Sequence, residues 1–248
     1  MVEFYGHTDV GRRRSLNEDT IHAHDRLFVV CDGMGGHKAG EVASKLAVEA
    51  IAGFIHRSEE DPEMTWPFGF NTQISYDENR LNTAIRLANR VVFRHAASSD
   101  DYTGMGTTVV AAMVSPRKAE VTYAHVGDSR IYLIRGGSML QLTRDDTWAN
   151  LAAGGDVDAP SPMRNVLTKA LGAREEVDFD VARLALEPGD VILLCSDGLT
   201  NMLSDARILE IVGARCPDLE AVCRDLVAAA NEQGGRDNIS VVVVHATS

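Results

Sequence analysis

This chain of 248 residues has no Cys-x-x-Cys pair, no apolar run of membrane-spanning length and no extended basic track. Its four cysteines (Cys31, Cys195, Cys216, Cys223) are scattered, and Cys31 and Cys195 lie inside apolar runs. That spacing argues against a zinc site and a disulfide framework, so reduced, buried thiols in a cytosolic protein are expected. A bilayer-spanning helix needs about 20 apolar residues in succession. The opening Met1-Val2-Glu3-Phe4-Tyr5-Gly6 resembles neither a secretory leader nor a lipidation signal. The expected location is the cytoplasm. Lys and Arg number 24 against 36 Asp and Glu, a net charge of −12. Nucleic-acid and anionic-membrane faces need clustered cations, so both partners are disfavoured. With no internal repeat, low-complexity segment or linker, one layered domain over residues 1–248 is expected. A chain this long buries roughly 70–75% of its unfolded surface, so stability alone requires no disulfide or metal.

What is present is organised around Leu27-Phe28-Val29-Val30-Cys31-Asp32-Gly33-Met34-Gly35-Gly36. The apolar run reads as a buried strand that ends in a carboxylate and a glycine turn. Val42, Ala43, Leu46, Ala50, Ile51, Phe54 and Ile55 then recur at helical spacing through about Arg57. A loop from Ser58 to Tyr76, anchored by Trp66 and Phe68, leads into a second helix from about Asp77. Strands are expected over Val2–Val10, Thr107–Val114, Glu120–Val126, Ile131–Ile134, Met139–Leu142, Phe179–Leu184, Val191–Cys195 and Ile239–Val244. Two further amphipathic helices contain Ile208–Val212 and Leu219–Val227. Helices come in pairs and strands in hairpins, which argues against an alternating parallel sheet. The expected class is α+β: a four-layer αββα sandwich of two antiparallel sheets flanked by helix pairs. Val191–Leu194 and Val241–Val244, apolar on both faces, suit strands enclosed between layers.

Four acids share one setting. Asp32 and Asp197 precede glycines after buried strands, Asp128 follows Gly127 at a turn, and Asp237 follows Gly234-Gly235-Arg236 before the last strand. Each alone reads equally well as a cap or turn residue. Gathered on one rim they would repel unless cations met them. Oxygen ligands without a His/Cys set select Mg²⁺ or Mn²⁺. A pair of such ions supports in-line phosphoryl displacement, and an arginine would grip the phosphate oxygens.

Several motifs run in order along almost the whole chain. They are Asp9-Val10-Gly11 with Arg14-Ser15-Leu16-Asn17-Glu18-Asp19, Asp32-Gly33-Met34-Gly35-Gly36, Gly104-Met105-Gly106-Thr107-Thr108, His125-Val126-Gly127-Asp128-Ser129-Arg130, Arg164-Asn165-Val166-Leu167-Thr168, Ser196-Asp197-Gly198-Leu199 and Gly235-Arg236-Asp237-Asn238. The series closely resembles that of the bacterial metal-dependent PPM (type 2C) serine/threonine protein phosphatases. The resemblance implies a two-metal centre in which Asp32 bridges both ions and is central to catalysis. It also implies that the Gly33 carbonyl binds one ion and that Asp197 and Asp237 hold the other. Glu18 and Asp19 would act near the metals through water, and Asp128 with Asp197 would form a weaker third site. Arg14 matches the phosphate-gripping catalytic arginine, and Arg12 and Arg13 are its solvated neighbours. The implied reaction is attack by metal-bound water on phosphoserine or phosphothreonine, without a phosphoenzyme.

Departures from the pattern bear on mechanism. Many eukaryotic members carry a proton-donating His where this chain has Met34, and His37 lies past the glycines, so a metal-bound water is the better candidate acid. The flap, about 144–165, reads Asp145-Asp146-Thr147 where relatives often have Asp-His-Ser; Trp148 reads as packed beneath it, with a flap contact for a partner as the alternative. The implied partners are phosphorylated proteins, a counterpart Ser/Thr kinase and its substrates, with a monomer as the default. A non-catalytic phosphoprotein-binding module of the same fold is the alternative. A two-metal nuclease or pyrophosphatase shares the metal logic but lacks a basic track.

Overall fold

Short apolar runs, each closed by glycine or a polar turn, form antiparallel strands throughout. The structure is a computed structural model that describes residues 1–36, 39–61, 63–152 and 166–247. In chain order the elements are β1 (Val2–Asp9), β2 (Asp19–His24), β3 (Leu27–Met34), α1 (Ala39–Glu60), α2 (Tyr76–Ala96), β4 (Gly106–Thr107), β5 (Val109–Val114), β6 (Glu120–Val126), β7 (Arg130–Arg135) and β8 (Ser138–Gln141). There follow α3 (Trp148–Ala152), β9 (Val181–Ala185), β10 (Val191–Cys195), α4 (Asp197–Thr200), α5 (Asp205–Arg215), α6 (Leu219–Glu232) and β11 (Ile239–Ala246). One sheet runs β1-β11-β10-β7-β8; the other runs β2-β3-β5-β6-β9, with β4 added to β3. Every pairing is antiparallel.

The two-residue period of the strands decides the layers. Val29 and Cys31 face α1 and α2, where they meet Ile51, Leu81 and Ile85. Phe28 and Val30 face the other sheet, where they meet Ile192, Leu194, Val242 and Val244. Leu193, Val241 and Val243 face outward onto Ile208, Leu226 and Cys223 of α5 and α6. The expected αββα arrangement, with a helix pair on each outer face, is therefore what the chain adopts. Strands such as β10 are apolar on both sides because both sides are covered.

Local chemistry sets the boundaries. α2 starts at a capping box, in which Ser75 and Glu78 satisfy each other's backbone amides. Trp66 anchors the preceding loop with its ring 5.7 Å from that of Phe54. Phe68 does so beneath Arg90, at 4.4 Å from guanidinium to ring centre.

Three features differ from the sequence expectation. β2 is additional: its outer residues are polar (His22, His24), so the edge strand carries only Ile21 and Ala23 as apolar signal. The expected strand Thr107–Val114 is broken at Thr108, which exchanges bonds with Asp32: its amide donates to the Asp32 carbonyl at 2.8 Å, and its hydroxyl accepts from the Asp32 amide at 3.1 Å. Phe179 packs into the helix-side core, and strand pairing begins only at Val181.

Candidate metal centre

The acids converge because strand ends from both sheets meet at one end of the sandwich. Asp19 opens β2 directly opposite Asp32 in β3. Asp197 follows β10, Asp237 precedes β11, and Asp128 occupies the turn from β6 to β7. Asp19 fastens the two sheets together. Its Oδ2 accepts hydrogen bonds from Ser196 Oγ (2.8 Å) and Ser240 Oγ (2.7 Å), both on the opposing sheet's strands or their ends. The Asn238 side chain organises the loop before β2. It donates to the Val10 and Leu16 carbonyls, each at 2.9 Å, and accepts from the Glu18 amide at 2.8 Å.

Crowding shows in the protonation equilibria. Burial first, then the charges of Asp19, Asp197, Asp128 and Asp237, push the Asp32 carboxyl well above the carboxylate range. Burial also raises Asp19 to about 6, against the help of its serine donors. Asp128 rises to about 7 through burial and the charges of Asp197 and Asp145. Asp197 is raised by burial and Asp237, while hydrogen bonds with Asp32 and Asn201 hold it down.

Arg14 is half-exposed and donates to Asp237 Oδ2 at 2.8 Å, with Glu18 Oε2 at 3.9 Å. The Asp237 bond is the main cause of its raised pKa. Arg12 and Arg13 are exposed, and their backbone amides donate to the Gly235 carbonyl. Gly33 sits where no side chain fits: a Cβ there would lie 2.0 Å from the Gly40 carbonyl oxygen and 2.6 Å from that of Glu18. The predicted residues are thus brought together, with Asp128 and Asp197 lining one cavity of about 470 Å³ alongside Arg130, Arg144, Asp145 and Asn201.

These residues fit divalent ions on two structural grounds. Asp19 Oδ1 is a buried oxygen without any hydrogen-bond donor. The convergent donors are carboxylates, the ligands that hard cations select. Among the described residues, no three His, Cys, Asp or Glu side chains enclose an ion by themselves. Mg²⁺-type ions commonly bind through one or two carboxylates and several waters, so a closed protein cage is unnecessary.

The sequence reading gave no role to Ser196, Ser240, Thr108 or Asn238. Their only sequence signal is adjacency to the acids and turns of the motifs. Met34 packs toward Gly106, as a Cβ there would lie 2.9 Å from Met34 Cε. His37 and flap residues 153–165 lie outside the described residues. Trp148 is 44% exposed, and the flap residues it is expected to pack beneath lie outside the described residues.

Comparison with known proteins decides the family, because the protein phosphatase 2C model matches residues 10–241. The chain belongs to the protein phosphatase 2C family. It is 37% identical to the protein phosphatase PhpP of Streptococcus pneumoniae, over 96% of this chain and 94% of that protein. It is 34% identical to the serine/threonine protein phosphatase PstP of Mycobacterium tuberculosis, over 98% of this chain and 45% of that longer protein. The solved PstP catalytic domain in complex with two manganese ions superimposes with a TM-score of 0.82 at 33% identity, covering 100% of this chain and 99% of that one. The Streptococcus agalactiae serine/threonine phosphatase superimposes with a TM-score of 0.84 at 34% identity, covering 99% of this chain and 100% of that one.

Proposed function

We propose that Asp32, Asp197, Asp237 and the Gly33 carbonyl hold a pair of Mn²⁺ or Mg²⁺ ions in this 2C-family enzyme. Glu18 and Asp19 would act through bridging water, and Asp128 would contribute to a weaker third site. The enzyme is a metal-dependent protein serine/threonine phosphatase that hydrolyses phosphoserine and phosphothreonine by direct attack of water. When bound, the ions supply positive charge and a water acidified toward neutral pH.

The remaining chemistry belongs to the chain. Arg14, half-exposed and already hydrogen-bonded to Asp237, presents a guanidinium fork to the phosphoryl oxygens. Asp19 stays oriented by Ser196 and Ser240, which leaves its Oδ1 for a bridging water. Met34 has no transferable proton, so the leaving alkoxide takes its proton from solvent in the site. The observation that carries the reading is the Asp19–Asp32 opposition on a rim that Asp128, Asp197 and Asp237 also charge.

The reading treats residues 1–248 as one catalytic domain and includes a counterpart Ser/Thr kinase. It also takes the cytoplasm as the location and a monomer as the default state. Buried unpaired thiols at Cys31, Cys195 and Cys223 support a reducing compartment. No described helix is long and apolar enough to cross a membrane.

The test is hydrolysis of para-nitrophenyl phosphate and a phosphothreonine peptide by wild type and Asp32→Asn, with Mn²⁺ and with EDTA. Only metal-loaded wild type should turn over. Equal wild-type rates in Mn²⁺ and EDTA would overturn the reading.

A further inference from the structure

Asp146 lies between β8 and α3, and all of its polar groups are in use. Its Oδ2 accepts from the Gly127 amide at 3.1 Å, and its own amide donates to the Gly127 carbonyl at 2.9 Å. Its carbonyl accepts from the Thr168 amide at 2.8 Å, and its Oδ1 pairs with Lys169 Nζ at 3.3 Å. One residue therefore ties the turn before Asp128 to the segment on the far side of the flap. The neighbouring Asp145 grips Arg130, two residues after Asp128, through both carboxylate oxygens at 2.7–3.2 Å.

The turn is held equally firmly on its other side. Gly127 has φ +105°, and a Cβ there would lie 2.7 Å from Thr108 Cγ2, so the backbone is pressed against that residue. Thr108 Oγ1 meets Ser129 Oγ at 2.7 Å and accepts from the Asp32 amide at 3.1 Å. Asp128 is thus carried on a turn clamped between Thr108, which is wired to Asp32, and Asp146, which is wired to Thr168 and Lys169. Asp128 and the like-charged Asp197 line one cavity, and the clamped turn holds Asp128 there against their repulsion.

We propose that Asp146 is a positioning residue: by holding Gly127, it fixes the Asp128 carboxylate for ion binding at the Asp128–Asp197 edge of the centre. The Gly127 hydrogen bonds do the positioning, and the Lys169 pair orients Asp146. This rests on the reading of Asp128 as an ion ligand. A purely structural Asp146 would change stability and leave ion affinity alone.

The experiment is calorimetric titration of the ion-free full chain with Mn²⁺, checked by electron paramagnetic resonance of bound Mn²⁺. The variants are Asp128→Asn, Asp146→Asn, Asp146→Ala and Lys169→Ala. Asp128→Asn should remove the weakest Mn²⁺ step and keep the tighter ones. Asp146→Ala should weaken that same step about ten- to hundredfold, the range expected for losing a charge-assisted hydrogen bond. Asp146→Asn keeps an acceptor for Gly127 but gives up the charge that Lys169 meets, so it and Lys169→Ala should each weaken the step by about two- to fivefold, less than Asp146→Ala. If Asp128→Asn abolishes the weak step while Asp146→Ala and Lys169→Ala leave it at wild-type affinity, the positioning role is wrong and the ligand reading stands. If Asp128→Asn leaves the isotherm unchanged, the ligand reading of Asp128 fails and takes this role with it. Should Asp146→Ala not fold, Lys169→Ala against Asp146→Asn still decides, because equal wild-type affinity in both overturns the proposal.

Discussion

Asp19 and Asp32 are Cα partners in the antiparallel register of β2 and β3, so two carboxylates face each other at the mouth of the sandwich. Like charges directly opposite on adjacent strands destabilise a sheet. Here Asp19 is buried and Asp32 partly so, and the charge of Asp197 raises the pKa of both. The arrangement sacrifices stability of the bare protein for affinity toward cations.

Asp32→Asn should therefore separate stability from activity. With EDTA present it relieves repulsion, and the melting temperature should rise by about 2–4 °C, equivalent to roughly 1 kcal/mol in a chain this size. With Mn²⁺ present wild type should gain about 2.7 kcal/mol at a hundredfold excess over Kd, and the variant little of it. Scanning calorimetry in both buffers checks this. A lower melting temperature for Asp32→Asn in EDTA would contradict the repulsion argument.

The ion-free protein should lose stability as pH rises from the ordinary carboxylate range toward neutrality. Folded Asp19 titrates at about 6 and Asp128 at about 7, each raised from 3.8. Between those values the folded chain holds protons that the unfolded chain has released, so the slope of unfolding free energy with pH is negative. Asp190, lowered overall because the bonds from Arg135 and the Glu187 amide outweigh its burial, acts oppositely: its contribution is present above 3.8 and fades only at more acidic pH. Urea midpoints in EDTA at about pH 5 should exceed those at about pH 7.5. Saturating Mn²⁺ should flatten or reverse the trend, because ions displace those protons.

Replacing Arg14 with Ala should lower kcat/KM about ten- to hundredfold, the cost of roughly 1.5–3 kcal/mol of charge-assisted hydrogen bonding. Lysine keeps the charge but not the fork, so it should recover only part of the loss. Steady-state kinetics on a phosphothreonine peptide measure both. Wild-type kcat/KM in the alanine variant would remove Arg14 from the site.

Asn238→Ala should act through the loop it holds. It leaves the Val10 and Leu16 carbonyls and the Glu18 amide without their partner. The expected loss is about 1–3 kcal/mol of stability, seen as a lower urea midpoint. Activity should fall as well, because Glu18 and Arg14 lie on the same loop. Asn238→Asp keeps the acceptor for Glu18 and should keep more of both.

Much of this protein was legible in one dimension. Alternation and apolar runs located β3, β10 and β11, and helical spacing located α1, α2, α5 and α6, because burial on one or both faces leaves a periodic mark. Aspartates beside glycines at strand ends mark the acids that meet at the rim. β2 escaped because an edge strand with a polar outer face has little period to show. The exposure of Trp148 is likewise beyond the sequence, because an aromatic side chain carries no mark of whether a neighbour covers it.

Only the folded chain could decide which polar residues serve the acids. Ser196 and Ser240 reach Asp19 from 177 and 221 residues away, and Asn238 reaches Glu18 across 220. Hydrogen bonds of that kind depend on how two sheets are stacked, and strand-by-strand periodicity says nothing about stacking. Composition and order of residues determined which side chains could bear charge and where each strand would end. Tertiary packing determined which of those ends share a rim, and so how strongly their charges act on one another.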